Sequence, residues 1–277
     1  MSDSKKVVVL YHADCEDGFG SAWAAWKRFG ARARYVPVKR GEPLPDGLKN
    51  KTVYCLDFVY REKLQRDLKK IVRRLVCIDH HISSQREVTL ADEYVFNIRH
   101  SGAVLAWQYF YKHKPVPLLL SYVEDTDLWE FRLPSSRAVF AYINFNKPSF
   151  KIWNRLSKEI ATKKRDFLKK GALILANEER LIKEVSEKSY LVSFGGKRVL
   201  AVNSPLFRSE LGNLLTKKRP PLAIVWYNRD GNTARISLRS VGRCDAAKIA
   251  EKYGGGGHKH AAMFLAPANN LPWKTKN

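Results

Sequence analysis

Short apolar runs alternate with helical patterns along the N-terminal part of the chain. The apolar runs are continuous, which indicates strands buried on both faces, as in a parallel sheet covered by helices. We therefore predict an α/β fold with an N-terminal, mostly parallel sheet and helices on both of its faces. The predicted strands are residues 7–11, 52–58 and 74–78, and the predicted helices are residues 20–29, 61–72, 101–112 and 117–124.

The pattern changes after residue 150. A long, charged helical stretch comes first, and two pairs of apolar runs follow, each pair joined by a glycine-containing turn that favours a hairpin. This order predicts a smaller C-terminal α+β domain. The predicted division is a sheet domain over 1–150, a helical connector over 151–189, the α+β domain over 190–268 and a solvated tail over 269–277.

The charge balance bears on the partner. Lys and Arg number 50 and Asp and Glu 27, which gives a formal net charge of +23. Such an excess favours a polyanionic partner such as nucleic acid, although this attraction is non-specific and a basic run is usually a solvated face. Because 45% of the residues are apolar and 12% aromatic, the chain has enough apolar surface to fold.

Two further features bear on location. No uncharged stretch approaches the roughly 20 residues of a membrane span, and the first residues lack the pattern of a signal peptide. The four cysteines form no C-x-x-C pair, so reduced thiols are expected. We expect a cytoplasmic protein with no membrane partner, either a monomer or a homodimer.

Polar side chains that can bind metal follow the predicted strands. Groups beyond the carboxyl ends of parallel strands lie along one edge of the sheet. So many carboxylates together would repel each other without cations, and oxygen and imidazole ligands suit Mn²⁺ or a similar ion. The residues concerned are His12, Asp14 and Asp17 after the first strand, Asp57 after the second, Asp79, His80 and His81 after the third, and Asp125 and Asp127 after a helix.

A pair of such ions can clamp a phosphate and lower the pKa of a bridging water, which predicts hydrolysis of a phosphoester. Each position also has an ordinary explanation when taken singly. Asp57 is then a turn or capping residue, His80 and His81 are an exposed pair, and the acidic residues after the helix are a cap. The recurrence of these residues at successive strand ends favours metal binding.

A run of four glycines near the C-terminus is a second candidate site. Without Cβ atoms, its backbone N–H groups can approach a phosphate closely, whereas an isolated run of this kind is usually a flexible turn. The basic residues nearby favour anion binding. The candidate residues are Gly254, Gly255, Gly256, Gly257, His258 and, on a predicted strand, Arg239.

Six segments, in order, resemble the motifs of the DHH phosphoesterase superfamily with its DHH-associated C-terminal domain. The similarity extends from residue 7 to about residue 265 and implies a metal-dependent phosphoesterase with two Mn²⁺ ions, for which Mg²⁺ or Co²⁺ are substitutes. The segments are H-A-D-C-E-D-G-F-G-S-A from His12, L-D-F from Leu56, I-D-H-H from Ile78, S-G-A from Ser101, E-D-T-D-L-W from Glu124 and G-G-G-G-H-K-H-A-A from Gly254.

The resemblance also implies roles for single residues. Asp57 is expected to bridge the two ions, and His81 to lie close to the scissile phosphate. Asp125, rather than Asp127, matches the fourth metal motif. The implied metal ligands are His12, Asp14, Asp17, Asp57, His80 and Asp125, the implied catalytic residues are Asp79 and His81, and the implied substrate-binding residues are Arg239, Gly254, Gly255, Gly256, Gly257 and His258.

The first motif departs from the pattern of the family. Many members have one residue between the two aspartates, whereas Cys15 and Glu16 both separate Asp14 from Asp17 here. Either Asp14 still binds metal, or Glu16 replaces it and Asp14 holds a ligand or a water in place. Asp17 therefore ranks above Asp14 as a ligand.

We predict a Mn²⁺-dependent phosphodiesterase that hydrolyses short oligonucleotides (nanoRNA) or small nucleotides to mononucleotides, in a cleft between two lobes. The preference for short substrates rests on the chain length, which leaves room for a catalytic and a capping domain and little else. A cyclic-dinucleotide phosphodiesterase and a 3′-phosphoadenosine 5′-phosphate phosphatase are alternatives. A catalytically idle nucleic-acid-binding protein is an alternative of another class, but it has no physical need for so many like charges together.

Overall fold

The computed structural model describes residues 5–13, 15–39 and 41–275, and the chain forms two compact units that divide between Leu175 and Ala176. None of the helices in these ranges combines the length and the apolarity that crossing a bilayer requires. The elements of the first unit are β1 (Val7–His12), α1 (Glu16–Phe29), β2 (Ala33–Val38), β3 (Thr52–Leu56), α2 (Glu62–Ile71), β4 (Arg74–Asp79), β5 (Glu93–Phe96), α3 (Gly102–Phe110), α4 (Leu118–Asp127), α5 (Ser136–Phe145), α6 (Phe150–Thr162) and the first half of α7 (Lys164–Glu187).

The sheet of the first unit has five parallel strands in the order β2-β1-β3-β4-β5. Its central strands are buried on both faces, which confirms the prediction from their continuous apolar runs. Val8 and Leu10 of β1 face one core with Leu68 of α2, whereas Val9 faces the opposite core with Leu105 of α3. The α/β fold with a parallel N-terminal sheet is therefore confirmed.

Helix α6 and the first half of α7 belong to the first unit, although we expected residues 151–189 to form a separate connector. Within its charged sequence α6 carries an apolar stripe at helical spacing, Trp153, Leu156 and Ile160, and each of these side chains is about 1% exposed or less. They pack into the same core as Trp23 and Trp107. The expectation failed because the charged residues of α6 occupy only the outer face of the helix.

The second unit is a mixed sheet of seven strands in the order β10-β11-β9-β8-β7-β6-β12, with helices packed against it. The predicted hairpins are present, and Gly195 and Gly196, with φ of 57° and 73°, form the first turn. Its elements are the second half of α7, β6 (Tyr190–Phe194), β7 (Lys197–Asn203), α8 (Arg208–Lys218), β8 (Leu222–Asn228), β9 (Thr233–Ser240), α9 (Ala246–Glu251), β10 (Gly256–His258), β11 (Ala261–Pro267) and β12 (Lys274–Thr275).

The segment after β11 is packed and is not the solvated tail that we expected. Strand β12 pairs with β6, and the ring of Trp273 lies 5.8 Å from that of Trp226. Leu271 also packs against this core. An aromatic and an aliphatic side chain in a short polar segment are enough to dock it on the sheet. The last two residues of the chain lie outside the described part.

Candidate metal centre

The register of the parallel sheet brings three strand ends together. Tyr11 of β1 pairs with Leu56 of β3, and Leu56 pairs with Ile78 of β4. The next residue on each strand is His12, Asp57 or Asp79. These three residues therefore lie side by side at the carboxyl edge of the sheet, and His80 and His81 follow directly.

Asp57 lies at the middle of this edge. Its backbone is left-handed, with φ of 63°, and its side chain is 1% exposed. Oδ2 lies 3.3 Å from Nδ1 of His12, and Oδ1 lies 3.2 Å from Nε2 of His80. The second contact lacks the angles of a hydrogen bond, so Asp57 Oδ1 and His80 Nε2 are buried atoms without a hydrogen-bond partner in the described structure.

Asp79 positions His81. Its Oδ1 accepts hydrogen bonds from the amides of His80 and His81, at 2.8 and 3.3 Å, and lies 2.7 Å from Nδ1 of the His81 ring. The other oxygen, Oδ2, is buried and has no hydrogen-bond partner among the described residues. Asp79 thus fixes the orientation of the imidazole and leaves its Nε2 available.

The N-terminus of α3 holds Asp17, which α1 supplies. The amides of Gly102 and Ala103 donate to the two carboxylate oxygens of Asp17 at 2.7 and 2.9 Å. Ser101 caps the helix by accepting from the amide of Val104. Amides and macrodipole at a helix N-terminus both favour a carboxylate, so the S-G-A segment keeps Asp17 in place.

Two glycines allow this close assembly, and neither was predicted to have a role. A Cβ atom on Gly18 would lie 2.2 Å from the carbonyl oxygen of His12. A Cβ atom on Gly102 would lie 2.7 Å from Cβ of Asp57 and 3.0 Å from Oδ2 of Asp17. Both glycines therefore let a helix approach the end of a strand within contact distance. At Gly18 the signal in the sequence was a glycine directly after an acidic residue, Asp17, at the start of a helical pattern.

The structure places Asp127, rather than Asp125, at the cluster. Oδ2 of Asp127 lies 3.6 Å from Nε2 of His80. Asp125 accepts hydrogen bonds from the amides of Arg132 and Leu133 at 2.7 and 3.1 Å, and so stabilises the loop that follows α4. This differs from the expectation that Asp125 takes the fourth motif position. Residues two apart on a helix point to different sides, so only one of the two aspartates can face the sheet edge.

The described residues form three overlapping groups of possible metal ligands. Within each group, the ligand atoms lie within 4.8 Å of one another. Asp57 belongs to two of them, and so does His80. Glu16, which begins α1, is in none of them, and Asp14 lies outside the described residues. The groups are Asp57 with Asp79, His80 and His81; His12 with Cys15 and Asp57; and Asp17 with His80 and Asp127.

The charges of the cluster perturb its titration. Burial, and then the charges of Asp57 and Asp127, raises the pKa of Asp17 well above its usual range. Burial and the charge of Asp57 raise the pKa of Asp127 to about 6. Burial also acts to raise the pKa of Asp57, but contacts with His12 and His80 hold it below its ordinary value. Asp17 and Asp127 thus tend to take up protons when no cation is near.

The donor set fits divalent cations. It consists of carboxylate oxygens and imidazole nitrogens with one thiol, and three of its buried atoms have no hydrogen-bond partner in the described structure: Asp57 Oδ1, Asp79 Oδ2 and His80 Nε2. Buried polar atoms are rarely left unpaired, because each costs free energy. Cations bound at this edge would offset the like charges and supply partners for these unpaired atoms.

Replacement of Asp127 and replacement of Asp125, both on α4, should change the stability of the metal-free protein in opposite directions. In the metal-free protein the pKa of Asp127 is raised to about 6, so the stability that its protonation provides is lost as the pH rises through this value. Asp127→Asn should therefore stabilise the protein in chelator at pH 7 by about 1 to 3 kcal/mol, because one pKa unit is about 1.4 kcal/mol. The gain should shrink in more acidic buffer.

Asp125→Asn is the matched variant, and it should instead destabilise the protein by about 1 to 3 kcal/mol, because one amide loses its charged acceptor. Thermal unfolding in chelator at two pH values measures both effects. A loss of stability in both variants would show that Asp127, like Asp125, serves the loop.

Arg239, a predicted substrate residue, lies on β9 in the second unit. Its Nη2 donates to Oγ of Ser209 at 2.6 Å, and its side chain packs against Gly212 so closely that a Cβ there would lie 2.4 Å from Cγ of Arg239. Burial lowers the pKa of Arg239. No carboxylate in the described part of the chain lies within ion-pair distance of it. Anion binding by Arg239 stays a prediction.

At three of the four positions in the glycine run, the local structure itself requires glycine. Gly254 has φ of 73°, and the amides of Gly254 and Gly255 donate to carbonyls at the end of α9. A Cβ atom on Gly255 or Gly257 would lie 2.1 or 2.5 Å from a carbonyl oxygen of β11. Gly256 has open space around it, and His258 follows on β10. Phosphate binding by this run and by His258 also stays a prediction.

Comparisons with known proteins agree with this fold. Residues 188–272 match the DHHA1 domain family. The uncharacterized protein R106 of Acanthamoeba polyphaga mimivirus is 31% identical over 281 residues, which make up 92% of this chain and 66% of that protein. The chain thus spans just under two thirds of the length of that relative.

Solved structures share the fold at low identity. RecJ from Thermus thermophilus, solved with Mn²⁺, is 13% identical with a TM-score of 0.54, over 95% of this chain and 50% of that chain. The pGpG-specific phosphodiesterase PggH from Vibrio cholerae is 13% identical with a TM-score of 0.53, over 96% and 94%. The DHH domain of a member of the s1p family of ribosomal proteins is 14% identical with a TM-score of 0.52, over 95% and 83%.

The parallel sheet of the first unit and the mixed sheet of the second are a fold that the chain shares with RecJ, PggH and this DHH domain protein. Residues 188–272 thus match the DHHA1 domain family, and the ordered motifs of the first unit resemble those of the DHH phosphoesterase superfamily.

Proposed function

We propose that the chain is a phosphodiesterase that hydrolyses short oligonucleotides or small nucleotides to mononucleotides, an oligoribonuclease-like activity, with Mn²⁺ as its ion. One observation carries the proposal. Buried oxygen and nitrogen atoms of Asp57, Asp79 and His80 meet at one edge of a parallel sheet without hydrogen-bond partners in the described structure. Oxygen and nitrogen ligands of this kind suit hard or borderline divalent ions.

The overlapping groups suggest how the chain would hold two ions. Asp57 would bridge them, because it belongs to two groups of ligand atoms. His12 lies on one side of Asp57, and Asp17, His80 and Asp127 on the other. The chemistry that two divalent ions supply at such a site is neutralisation of phosphate charge and activation of water.

His81 is the residue that we assign to proton transfer. Its Nδ1 is held by Asp79 at 2.7 Å, and its side chain is 16% exposed, so Nε2 can reach a bound substrate. A protonated Nε2 can donate to a phosphate oxygen or to the leaving oxygen, and a neutral one can accept a proton. Asp79 keeps the ring oriented during both steps.

The structural neighbours support a short substrate. PggH, a pGpG-specific phosphodiesterase, is similar over nearly its whole length, whereas RecJ is similar over half of its chain. A dinucleotide-sized substrate is consistent with the first of these.

A ladder of 5′-phosphorylated oligoribonucleotides tests the proposal. After removal of metal with chelator, activity should return with Mn²⁺, and the rate should fall as the substrate grows beyond a few nucleotides. A cyclic dinucleotide and 3′-phosphoadenosine 5′-phosphate should be assayed in the same way, because they are the alternative substrates. Equal or faster hydrolysis of long single strands would refute the preference for short substrates, and activity that survives chelator would refute the metal dependence.

An aromatic pair, of which Trp129 is exposed and Phe131 partly buried, follows Asp127 in the sequence. Trp129 is 51% exposed, and its ring lies 4.9 Å from that of Phe131, over which the guanidinium of Arg137 lies at 5.0 Å. Both aromatic residues have left-handed backbones, with φ of 59° and 52°. Exposed aromatic rings beside cations are suited to stacking with nucleobases. We therefore assign Trp129 to substrate positioning.

Trp129→Ala should raise KM for a dinucleotide about tenfold, because stacking on one base is worth roughly 1 to 3 kcal/mol. Trp129→Phe should restore most of the affinity. Tyr94→Ala, which removes an equally exposed ring from β5, is the control and should leave KM unchanged. Identical kinetics for Trp129→Ala and Tyr94→Ala would remove Trp129 from the site.

A further inference from the structure

Cys15 lies at the metal centre. Its Sγ, the ring nitrogen of His12 and a carboxylate oxygen of Asp57 all lie within 4.8 Å of one another. Cys15 directly precedes α1, and it is one of the two residues that separate Asp14 from Asp17 in the first motif. The departure of this motif from the family pattern thus places a sulfur atom beside an imidazole and a carboxylate.

A second observation, on the Asp57 carboxylate itself, points to a ligand. Asp57 is 1% exposed, and its Oδ1 has no hydrogen-bond partner among the described residues. No other described side chain supplies a hydrogen bond to Oδ1. Oδ1 lies towards His80, and Oδ2 lies towards His12. A buried carboxylate with an unpaired oxygen requires a cation or a donor, so the carboxylate that the two groups share is suited to binding cations.

The two groups that share Asp57 differ in their chemistry. The group of Asp57, Asp79, His80 and His81 offers oxygen and nitrogen atoms alone, whereas the group of His12, Cys15 and Asp57 adds sulfur. Thiolate ligands favour softer divalent ions over Mg²⁺, and oxygen ligands have the opposite preference. The two sides of Asp57 are therefore not equivalent.

We propose that Cys15 is a metal ligand and that it makes the His12 side of the centre selective for a borderline divalent ion such as Co²⁺, Fe²⁺ or Zn²⁺ over Mg²⁺. The inference rests on the proposed metal dependence and adds the identity of one ligand atom. On binding, a bond forms between Sγ and the ion, and the thiol proton passes to the solvent. The sulfur and the ion keep their oxidation states.

Cobalt spectroscopy on the full chain tests the proposal. Titration of the metal-free protein with Co²⁺ should produce the near-ultraviolet absorption of a sulfur-to-cobalt charge transfer, together with the visible bands of bound Co²⁺. Cys15→Ser should lose the first signal and keep the second, with Co²⁺ affinity weaker by at least about tenfold and Mg²⁺ affinity nearly unchanged. Cys244→Ser, which alters a partly exposed thiol of the second unit, is the matched control and should keep both signals.

Alkylation of the natural chain gives a second readout that does not depend on a variant folding. Bound Co²⁺ or Zn²⁺ should slow the reaction of Cys15 with iodoacetamide, as mapped by mass spectrometry, and leave that of Cys244 unchanged. Visible bands of bound Co²⁺ without the charge-transfer signal, or alkylation of Cys15 at the same rate with metal, would overturn the role of Cys15 and leave the metal centre standing. No binding of Co²⁺ or Mn²⁺ at all would overturn the proposed function as well.

Discussion

Hydrolysis should stop when Asp57 is replaced by asparagine. Asn keeps the size of the side chain and tolerates the left-handed backbone that this position adopts, with φ of 63°, so the variant removes charge without backbone strain. Asp57 contacts both His12 and His80 and belongs to two of the three ligand groups. Loss of several kcal/mol of charge stabilisation should lower kcat/KM by about a thousandfold or more.

Initial rates with Mn²⁺ on a dinucleotide measure this effect, and calorimetric titration should show that at least one ion is lost. Asp67→Asn is the control, because Asp67 lies on the outer face of α2 with its side chain 45% exposed and pairs with Lys70. Asp67→Asn should show the initial rate and the number of bound ions of the natural protein. Full activity of Asp57→Asn would rule out a shared ligand at the centre.

Gly102→Ala should disrupt the centre although alanine favours helices over glycine. The added Cβ would lie 2.7 Å from Cβ of Asp57, 2.9 Å from its Oδ1 and 3.0 Å from Oδ2 of Asp17. Neither neighbour can swing away, because Asp57 is fixed at a strand end and Asp17 is bonded to the amides of α3. A displacement of about 1 Å at reacting groups can cost a hundredfold in rate, and we expect a loss of that order.

Gly171→Ala separates this effect from simple overpacking. Its Cβ would lie 2.1 Å from the carbonyl oxygen of Ala138, so it clashes within the same unit but against α5 rather than the ligands. It should lower the melting temperature by overpacking, at a cost of about 1 to 3 kcal/mol, and leave the Mn²⁺ affinity of the folded protein intact. Equal Mn²⁺ affinity of Gly102→Ala and the natural chain would show that the ligands can adjust.

The buried strands of the first unit were predictable because burial on both faces makes them continuously apolar. Strand β2, A-R-Y-V-P-V, and the short strand β5 were not predicted. Both are at the edges of the sheet, where Arg, Pro and Glu are tolerated. Helices α5 and α8 were missed as well. Their amphipathic patterns are short, and packing against neighbouring elements decides whether such segments are helical.

The candidate site was predictable where it depends on strand ends. His12, Asp57, Asp79, His80 and His81 follow from the register of a parallel sheet, which places successive strand ends at one edge. Asp127, Cys15 and Gly102 depend instead on how helices pack against that edge, and single-sequence patterns do not determine this. The sequence placed Asp125 and Asp127 at the same edge and favoured Asp125, whereas the structure brings Asp127 to the cluster, because residues two apart on a helix point to different sides.

The ligand atoms come from five separate elements, namely the ends of β1, β3 and β4, the start of α1 and the end of α4. Bound ions would therefore act as a cross-link between segments that are far apart in the chain, in the way that a structural metal holds a small domain. Ions that bind only the folded chain raise its unfolding free energy with concentration, by about 2.7 kcal/mol at a hundred times the dissociation constant. The lifetime of this protein in a cell would then follow the supply of its metal.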